Sequence, residues 1–421
     1  MKQHRLLFIG GLFTEIEAVK IAREKGIYTV VADYYDADKA PAKLYADAST
    51  MTSATDVDAL VEFAKENDID SVFVGFSDLL LPYYADVCER LGVPSYGTRE
   101  QFDVMANKDQ FKRACVACGV PTVPEYDDVD SDSLDPALYP VIIKPVDSAG
   151  SRGISICNDS EELKRGIKHA LDYSPSKKYI VERYMTGDEA VLYYYVQDGN
   201  PVFMGMCDRY TSHVQKGVAQ LPLAYIYPSI HTQSHIDNAD SLYKGFIRSL
   251  GIMNGPIFFQ VFMDDGIPYV YEAGYRLCGA REHIIFDSVI GVGSQDMLID
   301  FAVSGHFGTV DLEEVADPFM KGKIACKLSP LLKKGLIDHV VGMDEVLALP
   351  SVHALITNKV PGYEVKQSDL GTLFQIAYRC YIVEDTLEDM EKTINYIQST
   401  IDFFDANGNS MLMPQFDTSL L

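Results

Sequence analysis

Apolar and polar residues follow two different rhythms in the first quarter of the chain. Apolar runs at 6–9, 28–32 and 71–74 have the length and composition of buried strands. Between the second and third runs, apolar residues recur at i, i+3, i+4 and i+7 from Val57 to Ala64, the pattern of an amphipathic helix. This alternation of strands and helices predicts a parallel α/β domain.

The pattern changes after residue 105. Polar turn residues separate neighbouring apolar runs at 197–201 and at 264–266, which is typical of β-hairpins. Hairpins mixed with helical segments predict an α+β domain over residues 106–310. Residues 311–421 contain further strand-like runs and a final amphipathic helix, and predict a C-terminal α+β domain. The first domain then covers residues 1–105.

The composition limits the classes of partner. The chain has 421 residues, and its 36 Lys+Arg against 61 Asp+Glu give a formal net charge of -25. Such a surface repels nucleic acid and anionic membrane, so neither is expected as a partner. The sequence has no apolar run of about 18 residues and no signal peptide, and its eight cysteines are scattered, so a cytoplasmic protein with reduced thiols is expected.

The first glycine pair is a weak motif. Gly10 and Gly11 follow a strand, and Asp33 ends the next strand, which matches half of a dinucleotide-binding pattern. The spacing fails, because Leu12 and Glu15 stand where further glycines are required. A structural turn is the favoured interpretation, and an NAD-dependent oxidoreductase stays a weak alternative.

A loop of small residues after Lys144 is a candidate phosphate-binding segment. Small residues leave backbone N–H groups accessible as donors to phosphate, and the lysine adds positive charge. A flexible surface loop explains the segment equally well when it is taken alone. Its candidate residues are Ser148, Gly150, Ser151, Arg152 and Gly153.

Two acids follow at a spacing that suits a nucleoside. Glu182 ends an apolar strand, and Glu189 lies seven residues later. Carboxylates can accept hydrogen bonds from a purine amine and from ribose hydroxyls. Two exposed acids in an acidic protein are the alternative.

The hairpin around 264–266 carries a third set of polar residues. Gln260 interrupts an apolar run, and a three-residue loop places it opposite Glu272. Two oxygen donors on one face suit a hard cation such as Mg²⁺. Arg276, four residues after Glu272, is suited to clamp a transferring phosphoryl group, whereas a buried structural Glu–Arg pair is the alternative.

Taken in this order, the three sets resemble the ATP-grasp superfamily, in its carbamoyl-phosphate-synthetase-like and amino-acid-ligase-like branch. The resemblance covers nearly the whole chain. It implies an N-terminal Rossmann-like pre-ATP-grasp domain, an ATP-grasp domain over 106–310 and a C-terminal α+β domain.

The resemblance also implies roles for individual residues. It implies metal binding (Mg²⁺ or Mn²⁺) by Gln260 and Glu272, and catalysis by Arg276 and Lys144. The positions that it assigns to ATP are Lys108, Lys144, Ser148, Gly150, Ser151, Arg152, Gly153, Glu182, Tyr184, Met185 and Glu189. Two positions depart from the family: Gly274 replaces an asparagine that helps to hold a second metal, and Gln260 replaces an acid of many members.

The expected activity is an ATP-dependent ligation of a small carboxylic acid to an amine through an acyl phosphate. Arg281, Arg209 and His213 are the candidate substrate-binding residues, with ordinary surface residues as the alternative. A catalytically reduced ATP-binding regulator is a second hypothesis, and a carboxylase or carbamoyl-phosphate-synthetase-like phosphorylation of a carboxyl group is a third. The resemblance further implies a homodimer.

Overall fold

The computed structural model describes residues 3–126, 129, 134–146, 153–211 and 221–421. The strands are β1 Arg5–Ile9, β2 Tyr28–Ala32, β3 Ala48–Thr50, β4 Ser71–Phe73, β5 Glu125–Tyr126, β6 Val141–Pro145, β7 Ser155–Cys157, β8 Tyr179–Arg183, β9 Asp188–Gln197, β10 Asn200–Thr211, β11 Pro222–Tyr227, β12 Gly255–Asp264, β13 Ile267–Gly274, β14 Ile324–Leu328, β15 Gly335–Leu336, β16 His339–Val341, β17 Val352–Ile356, β18 Glu364–Val365, β19 Arg379–Glu384 and β20 Asp402–Phe404.

In the described part of the chain these strands form five sheets, two of which have only two strands. The α-helices lie between these sheets. They are α1 Ile16–Glu24, α2 Val57–Glu66, α3 Leu81–Leu91, α4 Arg99–Ala106, α5 Lys108–Ala117, α6 Ser160–Tyr173, α7 Thr232–Asn238, α8 Asp240–Ser249, α9 His283–Val289, α10 Ser294–Ser304, α11 Leu312–Val315, α12 Met343–Leu347 and α13 Leu387–Thr400. Mixed parallel and antiparallel sheets with helices confirm the predicted α/β and α+β fold class.

The first sheet is parallel, with strand order β3-β2-β1-β4. The helix α2 begins where the Asp56 side chain accepts a hydrogen bond from the backbone N–H of Ala59, a helix N-cap. Its predicted apolar positions Leu60, Val61 and Ala64 are buried in the core. The apolar face of α2 thus packs into the core that also contains the strands of this sheet.

A small antiparallel sheet forms a separate lobe, with strand order β5-β8-β6-β7. Helix α6 packs on it and buries Leu163 and Ala170 against Val141 and Ile143. This core is small and separate from the two larger ones, so the lobe carries β6 and β8 as one unit.

The largest sheet is antiparallel and has eight strands in the order β13-β12-β9-β10-β11-β14-β19-β17. It continues across the predicted boundary at residue 310, because β11 pairs with β14 from Ala224↔Leu328 to Tyr227↔Ala325. The division into 1–105, 106–310 and 311–421 stays a prediction, and its second boundary separates strands of one sheet.

Aromatic packing fixes the first sheet to the end of β13. The rings of Tyr96 and Tyr275 lie 5.3 Å apart, and Phe102 packs 5.1 Å from Tyr275. The Tyr275 hydroxyl donates to the carbonyl of Asn254 at 2.5 Å and to that of Tyr96. The residue that follows, Arg276, is thereby held at the boundary between the first sheet and the largest one.

Two sequence expectations concern the whole chain. All eight cysteines are free thiols, as predicted. Across the described part of the chain, no helix has the length and apolar character needed to cross a bilayer.

The continuous sheet predicts the effect of a truncation. A chain that ends at residue 310 loses β14, β19 and β17, and β11, whose six residues are all buried, becomes an unpaired edge. We expect this fragment to aggregate, measured by size-exclusion chromatography and circular dichroism. A chain that ends at residue 416 keeps these strands and is the control. A soluble 1–310 fragment with cooperative thermal unfolding would contradict the expectation.

Candidate active site

Glu182 lies at the centre of a buried charge cluster in the small lobe. Its carboxylate pairs with Lys144 on β6 at 2.5 Å and with Lys112 on α5 at 3.1 Å. Lys112 also pairs with Glu125 at 2.7 Å. Burial raises the pKa of Glu182, but the two lysines outweigh it and the net pKa is lowered, so the carboxylate is ionised. The sequence analysis missed Lys112, although its place one helical turn after Lys108 was a signal.

Lys108, the first residue of α5, connects this cluster to the hairpin of β12 and β13. Burial lowers the pKa of Lys108, and the charge of Lys144 lowers it further, whereas Glu272 and Glu182 oppose the change. Four predicted residues from α5, β6, β8 and β13 therefore lie within electrostatic reach of one another. Lys108 and Lys144 lie near enough for their charges to interact, and two lysines at this spacing are suited to hold phosphate oxygens.

Gln260 and Glu272 are directly paired across β12 and β13, as predicted, but not for the predicted reason. The loop has two residues rather than three, because Asp264 pairs with Ile267, and a bulge after Gln260 shifts the register by one residue to bring Gln260 opposite Glu272. The Tyr271 hydroxyl donates to Gln260 Oε1 at 2.9 Å, while Glu272 is exposed and forms no ion pair with another described residue. One free carboxylate and one amide oxygen fit a Mg²⁺ that takes its other ligands from phosphates and water. Tyr271 was not predicted.

Glu189 and Arg209 form an ion pair, although the sequence analysis assigned them to ribose and to substrate. Arg209 also donates to the Tyr271 hydroxyl at 3.0 Å. Glu189, Arg209, Tyr271 and Gln260 therefore form one connected network on the largest sheet. Their predicted ligand contacts stay predictions.

The linker between β8 and β9 packs closely against the β12–β13 hairpin. It thereby holds the small lobe next to the largest sheet. A Cβ on Gly187 would lie 1.9 Å from the Met263 carbonyl oxygen, so only glycine permits this approach. Arg183 and Asp264 form an ion pair at 3.0 Å beside it. In the same linker Met185 is buried and Tyr184 is half-buried, which is compatible with a wall for a purine base.

One residue of the predicted phosphate loop is described. Gly153 has φ +79°, and a Cβ there would lie 2.7 Å from Pro145, so a glycine is required. The remaining predicted residues of this loop and one substrate candidate lie outside the described residues. They are Ser148, Gly150, Ser151, Arg152 and His213.

The predicted catalytic arginine, Arg276, contacts the first sheet domain. Its Nε donates to Asp78 Oδ1 at 2.7 Å and its Nη2 donates to Asp78 Oδ2, a bidentate pair. Its Nη1 donates to the Leu277 carbonyl at 2.9 Å. Asp78, 198 residues away in sequence, gave no sequence signal for this contact.

Arg281 lies at the same boundary, where it pairs with Glu17 at 2.5 Å and is 5% exposed. The nearby His283, whose Nε2 lies 3.9 Å from the Glu17 carboxylate, and the charge of Arg281 lower the pKa of Glu17 to about 2 although burial opposes it. Gln295 donates to the same carboxylate at 3.1 Å. The predicted substrate residue thus already has an acidic partner at the carboxyl end of the first sheet.

Comparison with known proteins identifies the arrangement. Residues 137–282 match the ATP-grasp domain family. Over these residues the chain is similar to an ATP-grasp domain. The resemblance and the ATP-grasp fold expected from it are confirmed.

Several known proteins share this domain or fold. Phosphoribosylamine–glycine ligase of Lactococcus lactis is 29% identical over 150 residues, which are 34% of this chain and 35% of that protein. L-amino acid ligase from Bacillus licheniformis has a TM-score of 0.78 at 17% identity, and the match covers 96% of this chain and 99% of that one. The biotin carboxylase domain of Hydrogenobacter thermophilus 2-oxoglutarate carboxylase, crystallised as a dimer with MgADP and bicarbonate, has a TM-score of 0.76 at 18% identity over 98% and 92% of the two chains. The sequence matches span less than half the length of the first curated relatives, between 35% and 44%.

The glycine that departs from the family pattern has a packing reason. A Cβ on Gly274 would lie 2.4 Å from the Phe258 ring. The guanidinium of Arg276 lies over that same ring, 5.2 Å from its centroid. In this ATP-grasp domain the ring beside Arg276 therefore occupies the space that an asparagine at 274 requires.

Removing the carboxylate of Glu182 tests the buried cluster. Because the pKa of Glu182 is lower in the folded protein, its contribution is complete above its ordinary pKa of 4.5 and is lost as the pH falls through the lower folded value. We expect Glu182→Gln to lower the free energy of unfolding at pH 7 by about 3–5 kcal/mol, since two lysines lose a partner. The difference from the unmodified protein shrinks below pH 4.5, measured by urea unfolding across pH.

A matched control is Glu388→Gln, which breaks an exposed pair with Lys392 on α13. This change is expected to cost less than about 1 kcal/mol. Equal effects of the two substitutions would refute the role of Glu182.

Replacing Gly274 by the family asparagine tests the packing explanation. We expect Gly274→Asn to destabilise the protein by about 1–3 kcal/mol, because the new side chain meets the Phe258 ring. Gly279→Asn is the control, since a Cβ at Gly279 meets no atom within 4 Å. Thermal unfolding measures both, and an unchanged midpoint for Gly274→Asn contradicts the explanation.

Proposed function

We propose that this protein is an ATP-dependent carboxylate–amine ligase, which phosphorylates a small acid and joins it to an amine with release of ADP and phosphate. The observation that carries the proposal is the buried cluster in which Glu182 pairs with Lys144 at 2.5 Å, with Lys108 near enough to Lys144, Glu182 and Glu272 for their charges to act on it. It brings two lysines and the exposed carboxylate of Glu272 into one region of the molecule. In a protein of net charge -25, a site with two lysines and a carboxylate suits a compact nucleotide that arrives with its own metal.

The small lobe and the linker supply the nucleotide site. Lys144 and Lys108 neutralise phosphate oxygens, and Glu182 keeps Lys144 oriented. Met185 and Tyr184 border the base beside the backbone of the β8–β9 linker. Gly187 holds this linker against the β12–β13 hairpin, so nucleotide and metal ligands keep a fixed separation.

Glu272 and Gln260 would hold Mg²⁺, which neutralises phosphate charge when bound. Gln260 keeps its oxygen oriented through the hydrogen bond from Tyr271. Because Gly274 replaces an asparagine, this chain offers fewer oxygen ligands to a metal ion. This supports a site for a single Mg²⁺. The family expectation of Mn²⁺ as a substitute is part of the same proposal.

Arg276 is the group that stabilises negative charge on the transferring phosphoryl group and on the tetrahedral intermediate of amine attack. Asp78 positions its guanidinium through two hydrogen bonds from the far side. The described residues need no covalent nucleophile for this chemistry, because the acid is activated as an acyl phosphate and the amine attacks its carbonyl carbon directly.

A second candidate is an ATP-binding regulator without turnover. It is supported by the reduced ligand set at Gln260 and Gly274 and by the guanidinium of Arg276, which Asp78 already occupies. The homodimer expected from the resemblance remains a prediction.

Isotope transfer tests the ligase proposal directly. With Mg²⁺-ATP, an amine panel and acids labelled with ¹⁸O in the carboxyl group, we expect ADP release that needs both substrates, and one ¹⁸O in the released phosphate. Mass spectrometry of the phosphate detects this transfer, which an acyl phosphate requires. ATP binding by calorimetry without ADP release in any acid and amine pair would favour the regulator instead.

The metal assignment has its own variant. Glu272→Gln should lower kcat by about 100-fold or more and raise the Mg²⁺ concentration needed for half-maximal rate, because the free carboxylate is lost. Asp265→Asn, at the tip of the same hairpin, is the matched control and should keep both values. Equal kinetics of the two variants would remove Glu272 from the metal site.

A further inference from the structure

A row of side chains crosses four strands of the largest sheet beyond the predicted metal pair. Arg209 on β10 pairs with Tyr225 on β11, Tyr225 pairs with Lys327 on β14, and Lys327 pairs with Tyr381 on β19. Directly paired residues point to the same face of a sheet. Arg379 is two residues before Tyr381, so it shares this face. The row therefore presents three cations on one surface.

Lys327 and Arg379 differ from Arg209 in having no acidic partner among the described residues. Lys327 is 2% exposed, and its Nζ lies 4.1 Å from the centroid of the Tyr225 ring. Neither Lys327 nor Arg379 forms an ion pair with a carboxylate in the described part of the chain, and the buried Nε of Arg379 has no hydrogen-bond partner there. Buried charge without a partner is costly, so such groups are expected to face an anion.

The groups around Lys327 do not supply that anion. Burial lowers the pKa of Lys327 to about 7 and the charge of Arg379 adds to this, while Cys278 and Glu282 oppose it. The Glu282 carboxyl accepts from the Cys278 backbone N–H at 3.0 Å, and its other oxygen is buried without a partner among the described residues. Burial raises the pKa of Glu282, and its carboxyl group forms no ion pair with Lys327 or Arg379 in the described part of the chain.

The position of Lys327 separates it from the reacting groups. Gln260 on β12 lies four strands away in the same sheet, which corresponds to about 19 Å. The surface between them carries the Arg209–Glu189 pair and the Tyr225 ring. Lys327 and Arg379 thus lie away from the predicted metal pair along the sheet.

We propose that Lys327 and Arg379 bind a second carboxylate of the substrate acid, so that the acid is a small dicarboxylic acid held at one end by these two cations and phosphorylated at the other. The phosphorylation of the other carboxylate rests on the proposed ligase function. The carboxylate held by the cations forms no covalent bond, and it accepts hydrogen bonds from the lysine and the guanidinium.

Kinetics with matched acids test the preference. Butyrate and glutarate differ by the second carboxylate, and we expect kcat/KM for ADP release to be higher with glutarate. Lys327→Met and Arg379→Gln should each lower the glutarate-to-butyrate ratio by about 10- to 100-fold, whereas Lys327→Arg retains most of it. Lys323→Met, an exposed lysine paired with Asp385 just before β14, is the control and keeps the ratio.

A binding measurement on the unmodified protein separates this inference from the ligase proposal. Lysines are methylated with ¹³C-formaldehyde and a reductant, and mass spectrometry quantifies the labelling of Lys327 with glutarate or butyrate present. We expect protection by glutarate alone. Protection without turnover of any acid keeps the anion site and refutes the ligase. Turnover of both acids with equal kcat/KM, and no selective protection, refutes the second-carboxylate site and leaves the ligase standing.

Discussion

The site depends on the ion pairs that the buried carboxylate of Glu182 forms with Lys144 and Lys112. This carboxylate remains charged because Lys144 and Lys112 approach it from a strand and a helix. Without it, Lys144 would have no acidic partner among the described residues, and Lys112 would keep only Glu125. With it, Lys144 is oriented beside Lys108, which forms no such ion pair with the described residues. For a bound nucleotide, Lys144 is then fixed in place by the protein, and Lys108 is still available to phosphate.

The fold holds the small lobe, the largest sheet and the first sheet in a fixed arrangement around this cluster. The small lobe has its own core, whereas the first sheet and much of the largest sheet share another. Gly187 and the Arg183–Asp264 pair hold the lobes at a fixed approach, and Asp78 fixes Arg276 from the first sheet. Three parts of the chain thus meet where the proposed phosphoryl transfer takes place.

The cationic side chains of this acidic protein are unevenly distributed in the structure. A net charge of -25 disfavours the binding of extended polyanions, but cationic side chains are clustered at two places in the structure. The first lies between the lobes and suits a nucleotide. The second, at Lys327 and Arg379, lacks acidic partners among the described residues and suits the far end of a small acid.

The sequence by itself determined the fold class and the ATP-grasp fold, and it placed Gln260 and Glu272 on one hairpin. These follow from local patterns: apolar periodicity, the order of motifs along the chain, and a short polar turn between two strands. The pairing of Gln260 with Glu272 depends on a bulge that only the structure shows. The partners of the predicted cations were decided by the tertiary structure alone. Asp78 and Glu17 lie far in sequence from Arg276 and Arg281, with which they pair. The orientation of Lys327 toward one face of the sheet is likewise a tertiary property, because a shift of one residue in strand register would turn it to the opposite face. Only the packing of the sheets fixes that register, because it buries one face of each strand and leaves the other to the site.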